Sequence, residues 1–534
     1  MTANSVLASA ARAARSTVLL LVASAAPLWA QPTDTARMGR SDSSLQLPTL
    51  GDGSDMSSNA ERRLGDRIAR ELYRDPDYID DPVLAQYVQG VWRPLLAAAK
   101  ARGDLSAELA DRFAWEVLLG RDRTVNAFAL PGGYFGVHLG LLAVVGSRDE
   151  LASVLGHELS HVTQRHISRL MSKQSQQAPW MIGAMILGAL AAGKSADAGS
   201  ALIVGGQAVA AQTQLNFSRD MEREADRVGF GVMTQAGFDA QGFVSMFDKL
   251  LQASRLNDSG AYPYLRSHPL TTERIADMQG RQPMGTVGSG PGSVPVEHAM
   301  MMARARVLSN PGVDGLRSIA SEALGTSLKS AAPARQAEVL YGAVLAASRL
   351  RDFASASEHL ERLSGVTRSD AQALRLSQLL AVEVALAAGE PRRAAALLQS
   401  GATAPGLASQ RPELFLSAQI AIQSAEAGAA NEAAQRLQLW VLAHPHDAQA
   451  WQLLSSAYAI QGQTLRAIRA DAETQVARLD YAAAVDRFRA AQDLMRQSEG
   501  AGTGRAEQDH IESSIVNTRR RQVELLLKEQ SLDR

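Results

Sequence analysis

The sequence predicts a mainly α-helical protein with a small β-sheet in its first half, followed by an α-helical repeat solenoid. Three observations carry this expectation. Apolar residues recur at helical spacing through residues 59–73, 81–100 and 219–255. Short alternating segments between residues 112 and 145 read as strands. Beyond a Gly-, Pro- and Ser-rich break at 279–297 the chain turns Ala- and Leu-rich, with turn sequences at regular intervals. At 534 residues the chain is too long for one ordinary core, so two or more domains are expected.

Arg12 and Arg15 precede the apolar run "TVLLLVASAAPLWA" at 17–30. This is the pattern of an export signal, with Ala30 the last residue before cleavage. The alternative is a short membrane anchor, but the run is shorter than the roughly 20 residues a spanning helix needs. The chain has no cysteine. That excludes disulfides, thiolate metal sites, cysteine nucleophiles and a lipid-modified cysteine. Export without cysteine suits a bacterial periplasm. Lys plus Arg (54) nearly balance Asp plus Glu (55), which gives no support for a nucleic-acid partner, since that would need a basic face.

Residues 31–55 are polar and form a flexible leader. A first helix follows at 59–73, where Leu64, Ile68 and Leu72 repeat every four residues. A second spans 81–100, with Pro82 suited to its first turn. "RFAWEVLLG" (112–120) and "TVNAFALPGG" (124–133) alternate like strands, and "YFGVHLGLLAVV" (134–145) reads as a strand running into a helix. A helix from about Arg148 to Leu170 comes next. Residues 178–212 hold two apolar runs split by Lys194 and Asp197, each too short to span a membrane. They read either as a buried helical hairpin or as an apolar flap that gates a cleft or touches the membrane surface. Helical periodicity resumes at 219–236 and 239–255.

In the second half, turns recur at 349–353, 387–391, 426–430 and 460–464, spaced roughly as in the tetratricopeptide helix-turn-helix repeat. The clearest copy is 444–468, where Trp451, Leu454, Tyr458, Gly462 and Ala467 occupy the pattern positions and Ser455 replaces a small Gly. Residues 479–491 resemble only the second helix of a repeat. The domain plan is therefore a signal peptide at 1–30, the leader at 31–55, a first domain at 56–280, a linker at 281–297 and tetratricopeptide-like repeats at 298–534.

The chemistry centres on "HELSH" at 157–161. A helix turns once per 3.6 residues, so His157 and His161 share a face at the spacing two imidazoles need to hold one zinc ion. Glu158, rotated off that line, can serve as general base. His166 lies off the ligand face and reads as a helix-end residue. A catalytic zinc needs a third protein ligand and an open fourth position. The best candidate is Glu222 in "EREAD", with Asp226 one turn on to accept a hydrogen bond from a ligand histidine.

"NAFALPGG" (126–133), "HELSH", "EREAD" and "SHPLTTERI" (267–275), in this order, resemble the M48 family of zinc metalloproteases. The resemblance covers residues 55–280 and implies an α+β zincin-like metalloprotease domain. It implies one Zn²⁺ on His157, His161 and Glu222, with Glu158 as base and Asp226 behind a ligand. It also implies that Asn126, Ala127, Phe128 and Ala129 line the cleft as a strand whose edge binds an extended peptide; Phe128 can equally be an ordinary core residue. In this family group the histidine matching His268 is implicated in shielding the zinc. Arg274 either stabilises the oxyanion or pairs with an acid.

Two functional expectations follow. One is a periplasmic endopeptidase that degrades misfolded or stalled outer-membrane proteins, with its repeats docking the outer-membrane assembly machinery and a possible peripheral membrane contact. The other is a non-enzymatic chaperone or scaffold whose zinc site stays plugged. The clients, in both, come from the resemblance alone.

Overall fold

The computed structural model describes residues 56–173, 218–256, 262–282, 294–310, 312–401, 406, 410–499 and 506–532. The expected signal peptide and leader (1–55) and the apolar segment (178–212) lie outside them. Among the described residues no helix is long and apolar enough to cross a membrane.

Helix α1 (Ser58–Arg74) is capped by Ser57, and the strand β1 (Tyr78–Ile79) follows it. Helix α2 (Pro82–Arg102) starts as expected: Asp81 accepts a hydrogen bond from Leu84 N, and Pro82 sits in the first turn. A short helix α3 (Ala107–Arg112) precedes β2 (Glu116–Gly120), β3 (Ala127–Leu130) and β4 (Tyr134–His138). The sheet order is β1-β2-β4-β3. Strands β2 and β4 run parallel, while β1 and β3 pair antiparallel at the two edges. Pro131–Gly133 joins β3 to β4, and Gly132 and Gly133 adopt φ of 73° and 80° there, which glycine supplies without strain. Among the described residues β3 (127–130) is thus an edge strand, and it overlaps the expected 126–129.

Helix α4 (Leu139–Val144) leads into α5 (Arg148–Thr163). Ser147 caps α5 by accepting from Glu150 N, while Glu150 reaches back to Gly146 N, a capping-box arrangement. The single helix expected from Arg148 to Leu170 is in fact two. Arg165 takes φ 53°, a left-handed conformation that ends α5, and α6 (His166–Lys173) starts in a new direction. Arg165 is anchored by Glu61 at 3.0 Å. Helix α7 (Arg219–Gln235) packs along α5, followed by α8 (Gln241–Leu256), the one-turn α9 (Tyr264–Ser267) and α10 (Thr272–Gly280).

From α11 (Val296–Leu308) onward the chain is helical. Helix pairs occupy 333–349 with 353–367, 371–387 with 391–401, 411–424 with 427–443, 448–460 with 464–477, and 481–499 with 506–532. The turns of the first four pairs fall at or beside the four turn sequences at 349–353, 387–391, 426–430 and 460–464. Leu454 and Tyr458 are buried, and Gly462 takes φ 68° at its turn.

The two halves share one hydrophobic core, which runs from α2 and α5 through α11 into the helix pairs. Two arginines rivet the junction. Arg304 forks onto Asp81 at 2.7 and 2.8 Å and also reaches Glu383 at 2.9 Å and the Tyr341 hydroxyl at 2.9 Å. Arg411 forks onto Asp80 at 2.7 and 2.8 Å and onto Asp447 at 2.8 Å. Removing one member of such a buried network strands the others, which is why these pairs set the docking geometry. His298 adds a bond to the Val145 carbonyl at 2.8 Å.

A cleft of about 820 Å³ lies along this junction, walled by Tyr73, Glu116, Arg411 and Trp440. Burial pushes the Glu116 carboxyl up to about 7, although the Tyr73 hydroxyl donates to it at 2.7 Å. A carboxyl raised on folding stabilises the protein below its unfolded value, and that contribution disappears as pH rises through the folded value. Wild-type stability should therefore fall between pH 4.5 and 7 by on the order of 1–3 kcal/mol from this group. Glu116→Gln should flatten that slope in thermal unfolding followed at pH 5 and pH 8, and an unchanged slope would show that Glu116 ionises freely.

Candidate metal centre

Helices α5 and α7 bring the chemistry together because both carry glycine where they cross. A Cβ added at Gly229 would lie 3.0 Å from the Gly156 carbonyl carbon and oxygen and from His157 N. Backbone meets backbone there, one residue from His157. With bulkier residues the axes would separate, and the carboxylate of Glu222, two turns up α7, would move away from the imidazoles.

As the helices stand, His157 Nε2 and His161 Nε2 are 3.0 Å apart. Glu222 Oε2 is 3.5 Å from His157 Nε2, and its Oε1 is 3.5 Å from His161 Nε2. His268 Nδ1 is 3.0 Å from Glu222 Oε1 and 3.3 Å from His157 Nε2. One donor atom from each of these four residues lies within 4.8 Å of every other, and all four residues are buried. Ligands at 2.0–2.1 Å around a tetrahedral ion sit about 3.3 Å from one another. The spacing and the nitrogen-and-carboxylate donor set therefore fit a single divalent ion.

Each donor is held from behind. His157 Nδ1 meets Asp226 Oδ1 at 2.9 Å. Arg274 donates to Asp226 through Nε at 2.6 Å and Nη2 at 2.8 Å, and its Nη1 lies 2.8 Å from Glu222 Oε2. That guanidinium also donates to the Pro269 carbonyl, so it is committed to two acids and a loop. On the other side, His161 Nδ1 meets His166 Nδ1 at 2.9 Å, and His166 Nε2 meets Glu224 Oε2 at 3.0 Å.

Glu158 is buried, and neither of its carboxylate oxygens makes a hydrogen bond of normal geometry. Its closest charged neighbour is His268 Nε2 at 3.5 Å. Burial raises the Glu158 carboxyl above its ordinary value against the pull of His268 and His157. Burial also opposes ionisation of Glu222 and Asp226, yet His268 facing Glu222 and Arg274 bonded to Asp226 hold both carboxyls below the usual range. Burial and the surrounding imidazoles drive His161 well below the ordinary histidine value, keeping it neutral as a ligand must be.

The loop before His268 closes over this cluster. Tyr264 stacks on His268 with ring centroids 4.7 Å apart, and Tyr264 N donates to the Val125 carbonyl beside β3. Asn126 and Ala127 are buried, and the Asn126 carbonyl accepts from His138 N at 3.0 Å. The Phe128 ring lies across Gly136 of the neighbouring strand, so its side chain is spent on packing while its strand remains at the sheet edge.

All seven residues singled out for metal and acid–base chemistry thus converge on one buried point. Sequence reasoning missed the two crossing glycines, Tyr264, and the part played by His166 with Glu224. "HVTQRH" did carry a signal for the last, but only the break at Arg165 turns His166 back toward His161.

Residues 87–282 match peptidase family M48. The beta-barrel assembly-enhancing protease of Escherichia coli (strain K12) is 31% identical over 450 residues, covering 83% of this chain and 86% of that protein. A Vibrio cholerae protein given the same name provisionally is 33% identical over 322 residues, 60% of this chain and 63% of its own length. The mitochondrial metalloendopeptidase OMA1 of Saccharomyces cerevisiae is 28% identical over 196 residues, 36% of this chain and 54% of that protein.

Gly229→Val should force α7 off α5 and lower stability by about 1–3 kcal/mol. It should also weaken Zn²⁺ binding at least tenfold in competition with a chromophoric chelator. Wild-type affinity in the folded variant would mean that the glycine contact does not set the site.

Proposed function

The chain belongs to peptidase family M48, and on that premise we propose that it is a zinc endopeptidase of the bacterial periplasm, exported by a signal cleaved near Ala30. It acts on misfolded or stalled outer-membrane proteins and contributes to their assembly. The observation that carries the reading is the buried quartet His157, His161, Glu222 and His268 beside a buried Glu158 whose oxygens make no hydrogen bond of normal geometry. The client class follows from the name borne by the Escherichia coli relative.

In this reading His157, His161 and Glu222 hold the zinc, which when bound supplies Lewis-acid polarisation of a scissile carbonyl and a more acidic water. Asp226 fixes His157 with its proton on Nδ1, leaving Nε2 as the ligand atom. Arg274 neutralises part of the charge on Asp226 and Glu222, which keeps both ionised in a dry site. Glu158 takes a proton from the attacking water and returns it to the leaving amine. The outer edge of β3 aligns the substrate backbone by strand addition, so side-chain identity matters little. The helix pairs, read as tetratricopeptide-like repeats, present a surface for clients or for the assembly machinery.

A second reading rests on His268. It occupies the fourth donor position, and its Tyr264 neighbour is bonded beside the substrate strand. The enzyme is then latent, and serves as a chaperone or scaffold until the loop carrying His268 lifts.

Glu158→Gln should retain fold and zinc and lose peptide cleavage by at least about 100-fold. Cleavage of a casein-like substrate at the wild-type rate would end the assignment. His268→Ala should raise basal cleavage several-fold with unchanged zinc content; lower activity would instead make His268 part of the working machinery.

A further inference from the structure

The two imidazoles of the HExxH turn are braced in different ways. His157 Nδ1 is bonded directly to a carboxylate, Asp226, whereas His161 Nδ1 faces a second imidazole 2.9 Å away. The proton positions along this second chain follow from its ends. His161 contributes Nε2 to the donor cluster, so its proton sits on Nδ1 and is donated to His166 Nδ1. His166 must then carry its own proton on Nε2, where Glu224 Oε2 accepts it at 3.0 Å. Arg169 Nη1 lies 2.9 Å from the same oxygen and fixes the carboxylate. The order of these bonded groups is His161, His166, Glu224, Arg169. His161 and His166 are both fully buried, while the Glu224 side chain is 38% exposed, so the chain runs from the metal centre to the surface.

We propose that His166 is a positioning residue for the metal: it holds His161 in the tautomer and ring orientation that offer Nε2 to the ion, and Glu224 anchors it from the surface. The inference rests on the reading of His161 as a ligand. The backbone supports it independently of the ring contacts. Arg165 accepts a left-handed conformation, uncommon for a non-glycine residue, and this turn is what swings His166 off the α5 path and under His161.

The test uses the full mature chain, stripped of metal and titrated with Zn²⁺ against a chromophoric chelator, and with Co²⁺ for its visible absorption. His166→Leu removes the acceptor and should weaken Zn²⁺ binding about 10- to 100-fold and change the cobalt spectrum. His166→Asn offers a carbonyl oxygen to His161 Nδ1 and should recover most of that loss. Glu224→Gln, at the half-exposed end, should give a smaller loss with the metal-free melting temperature unchanged, and keeps the test decisive should His166→Leu fail to fold. Affinity within twofold of wild type in Glu224→Gln and in whichever His166 variants fold overturns the inference, as does equal loss in His166→Leu and His166→Asn. A wild-type chain that binds neither ion would instead bring down the metal reading itself.

Discussion

A carboxylate from one helix has to stand beside two imidazoles from another, in a space dry enough for their charges to matter. Everything else in the first half of the molecule serves that meeting. Glu222, His157 and His161 are all buried, so their mutual distances are governed by how closely α5 and α7 approach. Gly156 and Gly229 remove the side chains that would keep the helices apart. Burying three carboxylates (Glu158, Glu222 and Asp226) in one place is costly unless positive charge is brought in. Arg274 supplies part of it and is itself held by the Pro269 carbonyl and both acids. Of the three, Glu158 alone has neither oxygen in a hydrogen bond of normal geometry.

The same economy of charge holds the second half against the first. Adjacent residues Asp80 and Asp81 each grip an arginine from the helical region, and each arginine carries a further acid from that region. A fork of two nitrogens on two oxygens specifies direction as well as distance. Together with a continuous apolar core, this gives the helix pairs one docking position on the peptidase. The first half and the helix pairs accordingly form parts of one body, and the junction cleft beside Glu116 belongs to both.

His268 gives the centre a second character. Its ring is stacked by Tyr264, faces Glu222 and lies next to Glu158. The loop that carries it is also bonded to the residue just before β3. One short segment therefore lies against both the donor cluster and the residue just before β3. Tyr264 and His268 are linked by a single helical turn, so the two contacts share one rigid stretch of backbone.

Much of this was legible in the linear order of residues. The helical stripe of α1, Pro82 in the first turn of α2, the strand character of 124–133 and the turns between the first four helix pairs all follow from local patterns. Local patterns report backbone preference within a few residues, and the structure agrees with them there. The i, i+4 spacing of His157 with His161 and of Glu222 with Asp226 likewise needs only the pitch of a helix. Tertiary structure alone decided what those faces would meet. No local rule sets Gly229 against Gly156, commits Arg274 to Asp226 and Glu222, or turns His166 beneath His161 past a left-handed Arg165. These are contacts between residues as many as 73 positions apart by number, or across a break that propensity does not mark. The reason is physical: helix pitch is a property of the chain at one point, whereas the separation of two helices is set by what lies between them.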